Sequence, residues 1–597
     1  MTYLAPVNDI LFTLNAIGGL NDTIDSGLYG ETDIELVTAV VKEAGRFASE
    51  RIAPINREGD LIGARLEGAR VIMPPAFKEV YQSWAKAGWN ALPCAPKWGG
   101  QGLPSLVQAA CTEIWNSASM AFALGPLLTA GAVEAIAAHG SPDLQARYLE
   151  KLVSGSWMGT MNLTEPQAGS DLSGMRSSAV RQDDGAYRIK GQKIFITYGE
   201  HDLTENIVHL VLARLPDAPP GTRGISLFLV PKFLPDGTRN DVYCGGIEQK
   251  LGIHASPTCT MIFGDGPGAI GWLVGEENRG LNCMFTMMNN ARLAMGLQGV
   301  GVAERAYQQA LGYARERHQG RTVRGAGPAA IIEHPDVKRM LLTMKSKIHA
   351  ARGICYLTAA AIDRARLVTD ADERRAAEER ASLLTPVAKA YGSDIGCEVA
   401  SLGVQIHGGT GFVEETGAAQ HMRDARIAPI YEGTNGIQAI DLVMRKLSVS
   451  NGESVRYLIA EIATTAERLL GNRNADLAAI GERLKAACRD FNRVTVFLLK
   501  LVEEKANEDA LAGATPYLTA FGHTLGLATL ATIAEAAHNQ IVEGFDQPQH
   551  KGRIALARFF SDQIATEVSG LVECIEMAGP SQQSAELALS SSEGLLT

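Results

Sequence analysis

The chain has 597 residues, a formal net charge of -11, and 46% hydrophobic against 20% charged residues. That length is too great for one compact core and implies three or four domains, while the composition excludes general disorder. The acidic balance argues against a nucleic-acid-binding protein, which needs a concentrated basic face.

The nine cysteines stand singly with no CxxC pair, so neither a disulfide framework nor a zinc or other metal site is expected. The N-terminus, MTYLAPVNDILFTLNAIGG, lacks the basic start and apolar core of a secretory signal. No uncharged apolar run is expected to approach the ~20 residues that span a bilayer; the longest candidate, Ala121 to Val133, is broken by Gly125, Pro126 and Gly131. A cytoplasmic protein with no membrane span is therefore expected.

Residues 1–157 read as a helical domain. Apolar residues recur at helical spacing from Ile34 to Ile55, where Pro54 is expected to end the helix. A Gly/Pro passage, Pro93 to Pro104, interrupts before the helical pattern resumes. The texture changes near Met158. YRIKGQKIFIT alternates from Tyr187 to Thr197, and IVHLVLAR and GISLFLVP are apolar runs between turn residues. These predict a mostly antiparallel β domain over 158–277. Helical period returns over 278–450, with Val337, Met340, Leu341, Met344 and Ile348 on one face. The charged stretch Asp370 to Arg380 is expected as the solvated turn between two long helices. The next helix breaks at His407–Gly411, and a short one follows Asn435. Residues 451–597 form an additional helical domain with 12 Lys+Arg against 19 Asp+Glu, and its tail from Ser581 is expected to fray. The fold class is α+β: an N-terminal helical domain, a central antiparallel β domain, a C-terminal four-helix bundle and the extra helical domain.

No P-loop, no GxGxxG between strand and helix, no HExxH and no GxSxG is present. Four segments carry candidate chemistry. MNLTEPQAGSD presents Thr164, Ser170 and backbone N–H groups that suit a polar heterocycle or phosphate, and an edge loop explains it equally. KIFIT places Phe195 at a strand end, where it can flank a ring or simply fill core. YARERHQGR offers Arg317 as a bidentate pyrophosphate donor or as part of a solvated face. QIHGGTGF and RDARIAPIYEGTNGIQ place Glu432 between Tyr431 and Gly433, before a helix that Thr434 or Asn435 caps. A carboxylate held in an apolar pocket there can act as a base.

In this order, with HG…LQARYLEKL, KLGIHASPT and NNARL between them, the segments resemble the acyl-CoA dehydrogenase family over about residues 30–450. The resemblance implies FAD between the helical and β domains and α,β-desaturation of an acyl-CoA thioester. Glu432 would abstract the α-proton and the β-hydride would pass to the flavin. The Glu432 N–H, with a flavin hydroxyl, would polarise the thioester carbonyl, and Gly433 would permit close approach. Some members carry the base directly before a motif arginine; here Arg292 follows Ala291, so the role falls on Glu432. Met161, Leu163, Thr164, Ser170, Phe195 (in place of the usual Trp), Thr197 and Thr434 match flavin contacts. Arg317, Gln405 and Gly409 match the FAD phosphate and adenosine end, shared across a subunit interface, which implies a homodimer or homotetramer. Ser170, Arg292 and Gly433 match the substrate side. Two departures stand out: Arg317 leads into a shorter segment than usual, and Gly436 replaces a polar residue.

The extra C-terminal block is similar to that of the longer members. YLAPVNDILFTLN and RHQGR are similar to bacterial members acting on 3-methylmercaptopropionyl-CoA, whereas others of this length act on fatty acyl-CoAs. An electron-transferring flavoprotein is the implied acceptor. The rival readings are an acyl-CoA oxidase that passes electrons to O2, although the ending GLLT is not the peroxisomal SKL, and a DNA-binding homologue with little activity, which the acidic C-terminal block disfavours.

Overall fold

A computed structural model describes residues 3–323, 325, 327–583 and 585–589. The chain divides into two compact units. One is chiefly Glu35–Ala294 with Val413–Ile427; the other comprises Asn8–Ile34, Met295–Phe412 and the residues from Ala428 onward.

The first unit begins with helices around an aromatic core. Trp84 lies edge-on to Trp115 with centroids 4.4 Å apart, and Phe47, Trp89 and Phe122 complete the cluster. Pro54 does not end its helix. The Ile34–Phe47 helix passes through a π-turn, Ala48–Ile52, into a further helix, Ala53–Ile62, with Pro54 in its first turn. The wider π-turn accommodates a residue that cannot donate to the helical ladder. A two-stranded hairpin, β1 (Arg65–Glu67) and β2 (Arg70–Ile72), follows.

Eight further strands make the β domain: β3 (Trp157–Asn162), β4 (Ser178–Arg181), β5 (Tyr187–Thr197), β6 (Asn206–Arg214), β7 (Ile225–Pro231), β8 (Val242–Ile247), β9 (Thr258–Phe263) and β10 (Ala269–Val274). Their order is β10-β7-β6-β4-β5-β9-β8, with β3 parallel to β6 and an added β10–β5 pairing that closes the sheet on itself. Closure covers the edge at β10, while β8 still ends the order. The apolar runs of the sequence become the almost wholly buried β6 and β7. Alternate residues, Val208, Leu210 and Leu212 with Leu227 and Leu229, face a core shared with Leu128, Ala132 and Ile136 of the Ser105–His139 helix.

In the second unit the helix expected from the apolar face of Val337 to Ile348 is Pro335–Leu367, with Met340, Leu341, Met344 and Ile348 buried, and a short connection joins it to the Ala371–His407 helix. The connection is shorter than expected. Asp370 caps the second helix by accepting from the Asp372 and Glu373 N–H groups, so the charged stretch forms its exposed first turns. Helix continues through the C-terminal block, and Ala585–Leu589 of the tail is helical where fraying was expected; residues 590–597 lie outside the described residues. Arg553 of this block pairs with Asp9 at 2.7 Å and stacks over Phe12.

The expectation that no apolar run is long enough to cross a membrane needs correcting. The Ser105–His139 and Ala514–Val542 helices are both long and apolar enough by length and composition. Their most apolar stretches are 78% and 89% buried inside the fold, which accounts for that apolarity.

Candidate functional site

In the first unit, LTEP leaves the end of β3. Met161, Leu163 and Thr164 are half-buried there, and Ser170 is exposed on the loop beyond. The Ile194 N–H donates to the Thr164 carbonyl at 2.9 Å, so this peptide runs beside the end of β5. Between Lys193 and Ile196 the β5–β9 register slips, and Phe195 sits in the bulge at φ +60°. A bulge residue in this region is re-aimed out of the sheet, and the Phe195 ring is 58% exposed rather than core. Thr197 returns to the ladder opposite Thr258.

A buried ion pair that sequence reasoning missed ties these pieces together. Lys193 Nζ lies 2.8 Å from Glu165 Oε1 and donates to the Leu163 carbonyl at 3.0 Å. Glu165 also accepts from the Ser177 N–H at 3.0 Å, the Arg176 N–H at 2.7 Å and the Gln167 amide at 2.6 Å. Burial alone would raise the Glu165 carboxyl, but Lys193, with Ser177 and the Arg176 N–H, outweighs it and holds it at about 2. Burial draws the Lys193 ammonium down to about 8 against the attraction of Glu165.

Elsewhere in this unit Arg292 is buried on the Gly280–Glu316 helix, directly after buried Ala291. The side chains of Asn289 and Asn290 in NNARL lie outside the described residues. Asp424 of the RDAR segment accepts the Ile253 N–H at 2.5 Å, joining that segment to KLGIHASPT. Burial raises the Asp424 carboxyl to about 6. Between about pH 4 and 6 the folded chain thus holds a proton that the unfolded chain releases. Stability from this group is full below its unfolded value and is lost as pH rises through about 6, by about 3 kcal/mol in all. Asp424→Asn, neutral throughout, should gain about that much relative to wild type between about pH 4 and pH 7. Urea midpoints of both proteins at the two pH values check this, and a pH-independent difference would contradict it.

In the second unit Glu432 stands at φ +55° and Gly433 at φ +85°, two successive left-handed residues. The first is unusual for a non-glycine and stores strain of the order of 1 kcal/mol or more. Gln438, fully buried one helical turn on, donates to the carbonyls of Glu432 at 3.4 Å and Gly433 at 3.2 Å. Thr434 caps the Asn435–Asp441 helix, its hydroxyl accepting from the Ile437 N–H at 3.2 Å. Tyr431 donates its hydroxyl to Gln298, and burial pushes that phenol well above its usual range.

Fully buried Lys389 staples the turn, donating to the Ala428 carbonyl at 2.9 Å and to Asn435 Oδ1 at 2.8 Å. Asn435 in turn donates to Asp394 at 2.7 Å and to Ser393 at 3.0 Å. Neither Gln298 nor Lys389 was picked out from the sequence. The signal available for Lys389 was a lysine inside the apolar stretch TPVAKAYG.

At another place in this unit, the ends of the Gly280–Glu316 and Ala371–His407 helices meet. Tyr313 stacks on His407 with centroids 4.5 Å apart, and Thr410 donates to the Tyr313 hydroxyl at 3.1 Å. This brings exposed Arg317 to the same end as exposed Gln405 and Gly409. Arg317 forms no ion pair among the described residues.

The residues fit a planar, polar cofactor. The hydroxyls of Thr164, Ser170 and Thr197 make no hydrogen bond to protein among the described residues, and beside them an aromatic ring is turned outward on a bulge. Open hydroxyls and an exposed aromatic face are what a tricyclic ring with heteroatom edges requires.

Four domain families match the chain in sequence. They are described as acyl-CoA dehydrogenase N-terminal domain over residues 35–156, middle domain over 160–265 and C-terminal domain over 278–447, with an acetyl-CoA dehydrogenase C-terminal-like domain over 458–582. Among curated relatives, the 3-methylmercaptopropionyl-CoA dehydrogenase of Ruegeria pomeroyi is 47% identical, covering 98% of this chain and all of its own. A butyryl-CoA dehydrogenase of Syntrophomonas wolfei is 34% identical, covering 97% and 98%. The crystal structure of Caenorhabditis elegans ACDH-11 in complex with C11-CoA superposes with a TM-score of 0.79 at 20% identity, covering 99% of this chain and 96% of that one.

The chain belongs to the acyl-CoA dehydrogenase family and has its fold, with N-terminal helical, middle β and C-terminal helical domains and an extra C-terminal domain. It is an FAD-dependent oxidoreductase acting on acyl-CoA.

Proposed function

We propose that this enzyme desaturates 3-methylmercaptopropionyl-CoA, with Glu432 as the base. The observation that carries the catalytic assignment is the Glu432–Gly433 turn: a carboxylate on a strained left-handed residue, beside a glycine, held by Gln438 from behind. The Glu432 carboxylate takes the proton from the carbon next to the thioester, and its own N–H donates to the thioester oxygen as negative charge gathers there. Gly433 leaves room for that approach, and Ser170 and Arg292 complete the substrate side. FAD, when bound, supplies the acceptor for the hydride leaving the β carbon. Met161, Leu163, Thr164, Ser170, Phe195, Thr197 and Thr434 would hold its ring end, and Arg317, Gln405 and Gly409 its phosphate and adenosine end.

The substrate assignment is supported by the end-to-end 47% identity with the Ruegeria pomeroyi enzyme. In the same reading the enzyme is a cytoplasmic homodimer or homotetramer that passes its electrons to an electron-transferring flavoprotein. The domain limits 1–157, 158–277, 278–450 and 451–597 belong to it too.

With the thioether sulfur in place of a methylene, this substrate has the reach of a short linear acyl chain. Its kcat/KM should therefore exceed that of palmitoyl-CoA by ~10-fold or more and that of butyryl-CoA by less, since single methylenes discriminate weakly. Steady-state assays with a dye acceptor test this, and a preference for palmitoyl-CoA would overturn the substrate assignment.

A further inference from the structure

We propose that the buried Glu165–Lys193 pair is a positioning device for the FAD-binding edge of the β domain, holding the Leu163–Thr164 peptide and the Phe195 bulge in one geometry. The proposal rests on the flavin contacts put forward above and goes beyond them, because neither Glu165 nor Lys193 is itself among those contacts.

Both side chains are almost wholly enclosed, at 3% and 0% exposure. A buried ion pair is a poor way to gain stability, because apolar side chains of the same volume often serve as well or better. What it offers is direction. Lys193 reaches from β5 to the Leu163 carbonyl and the Glu165 carboxylate together, and Glu165 spends both oxygens on Lys193, Gln167 and the Arg176 and Ser177 N–H groups. Three separate stretches, 163–167, 176–177 and 193, therefore meet at one carboxylate. The Ile194 N–H bond to the Thr164 carbonyl extends the same link by one residue on each side. Phe195 leaves the ladder directly after this anchor, at a left-handed φ that a bulky residue keeps only where its surroundings hold it. Charged hydrogen bonds of defined direction at the base of a bulge constrain its tip in a way that an apolar contact does not.

The test uses the holoenzyme with the double substitution Lys193→Met and Glu165→Gln, which removes both charges at nearly constant volume and leaves neither uncompensated. The readouts are the rate of FAD release, followed by recovery of flavin fluorescence on dilution, and the visible circular dichroism of the bound flavin. Release should quicken ~10-fold or more and the flavin dichroism should change, a size typical of losing a group that orients a ligand's direct contacts. Glu165→Asp, which keeps the charges but shortens the arm, should move both readouts the same way and serves where the double variant does not fold.

A pair that merely stabilises would lower the melting temperature and leave release from the folded holoenzyme unchanged; that result overturns the proposal. Thr164→Ala and Phe195→Ala are measured alongside. If these quicken release and the pair variants do not, only the positioning role falls. If none of the variants changes release, the assigned flavin contacts fall and the positioning role with them.

Discussion

Glu432→Gln should lower turnover by about 10²–10⁴-fold while leaving a folded, yellow protein. The amide matches the carboxylate in size but cannot take the α-proton. The turn should survive, because its geometry is held by groups other than the carboxylate: Gln438 on the two carbonyls, Thr434 as helix cap, and Lys389 across Ala428 and Asn435. Because proton transfer is felt only in the transition state, kcat and kcat/KM should fall together. Glu432→Gly offers a control: it removes the base and relieves the left-handed strain, so it should be equally inactive yet no less stable than Glu432→Gln. Turnover near the wild-type rate in either variant would place the base elsewhere.

Gly299→Ala should cost ~3 kcal/mol or more, at or above the upper end of ordinary overpacking. Added to an exposed helix, the same methyl group would gain about 1 kcal/mol in helix propensity. At Gly299 it would lie 2.1 Å from the Gly392 carbonyl oxygen and 2.7 Å from the Ser393 Cα, both backbone atoms of the Ala371–His407 helix that cannot turn aside. Gly296 repeats the arrangement one turn earlier, 2.3 Å from the Ala388 carbonyl oxygen. This close crossing also carries Gln298 to Tyr431 and Ser393 to Asn435, so spreading it should disturb the Glu432 turn as well. Gly552, which has nothing within 4 Å of an added Cβ, is the matching exposed site. Urea midpoints of the two alanine variants should move in opposite directions, and stabilisation by Gly299→Ala would contradict this account of the crossing.

The parts of the molecule legible in the sequence are those written in local pattern. The runs that became β6 and β7, the apolar face of Val337 to Ile348 and the Thr434 cap each rest on residues a few positions apart. The misses have physical causes too. Pro54 reads as a stop unless a π-turn precedes it, and the charged residues after Asp370 read as a turn because an exposed helix start has the same composition. The apolar stretch of Ala514–Val542 does not stand out in the sequence because threonines and glycines interrupt its larger apolar residues. Phe195 was readable as a candidate but not as exposed, since the bulge depends on the register of β9. The supports of the candidate site were not legible. Lys193 finds Glu165 28 residues away and Tyr431 finds Gln298 133 away, and single-sequence periodicity carries no record of such pairings.

The most direct test of the central claim is an anaerobic absorbance titration of the purified holoenzyme with propionyl-, 3-methylmercaptopropionyl-, octanoyl- and palmitoyl-CoA in turn. The oxidised-flavin band should bleach fully with 3-methylmercaptopropionyl-CoA in wild type and stay unbleached on the same time scale in Glu432→Gln. A flavin that no thioester bleaches, or one bleached equally fast in the variant, would contradict a Glu432-driven acyl-CoA dehydrogenase.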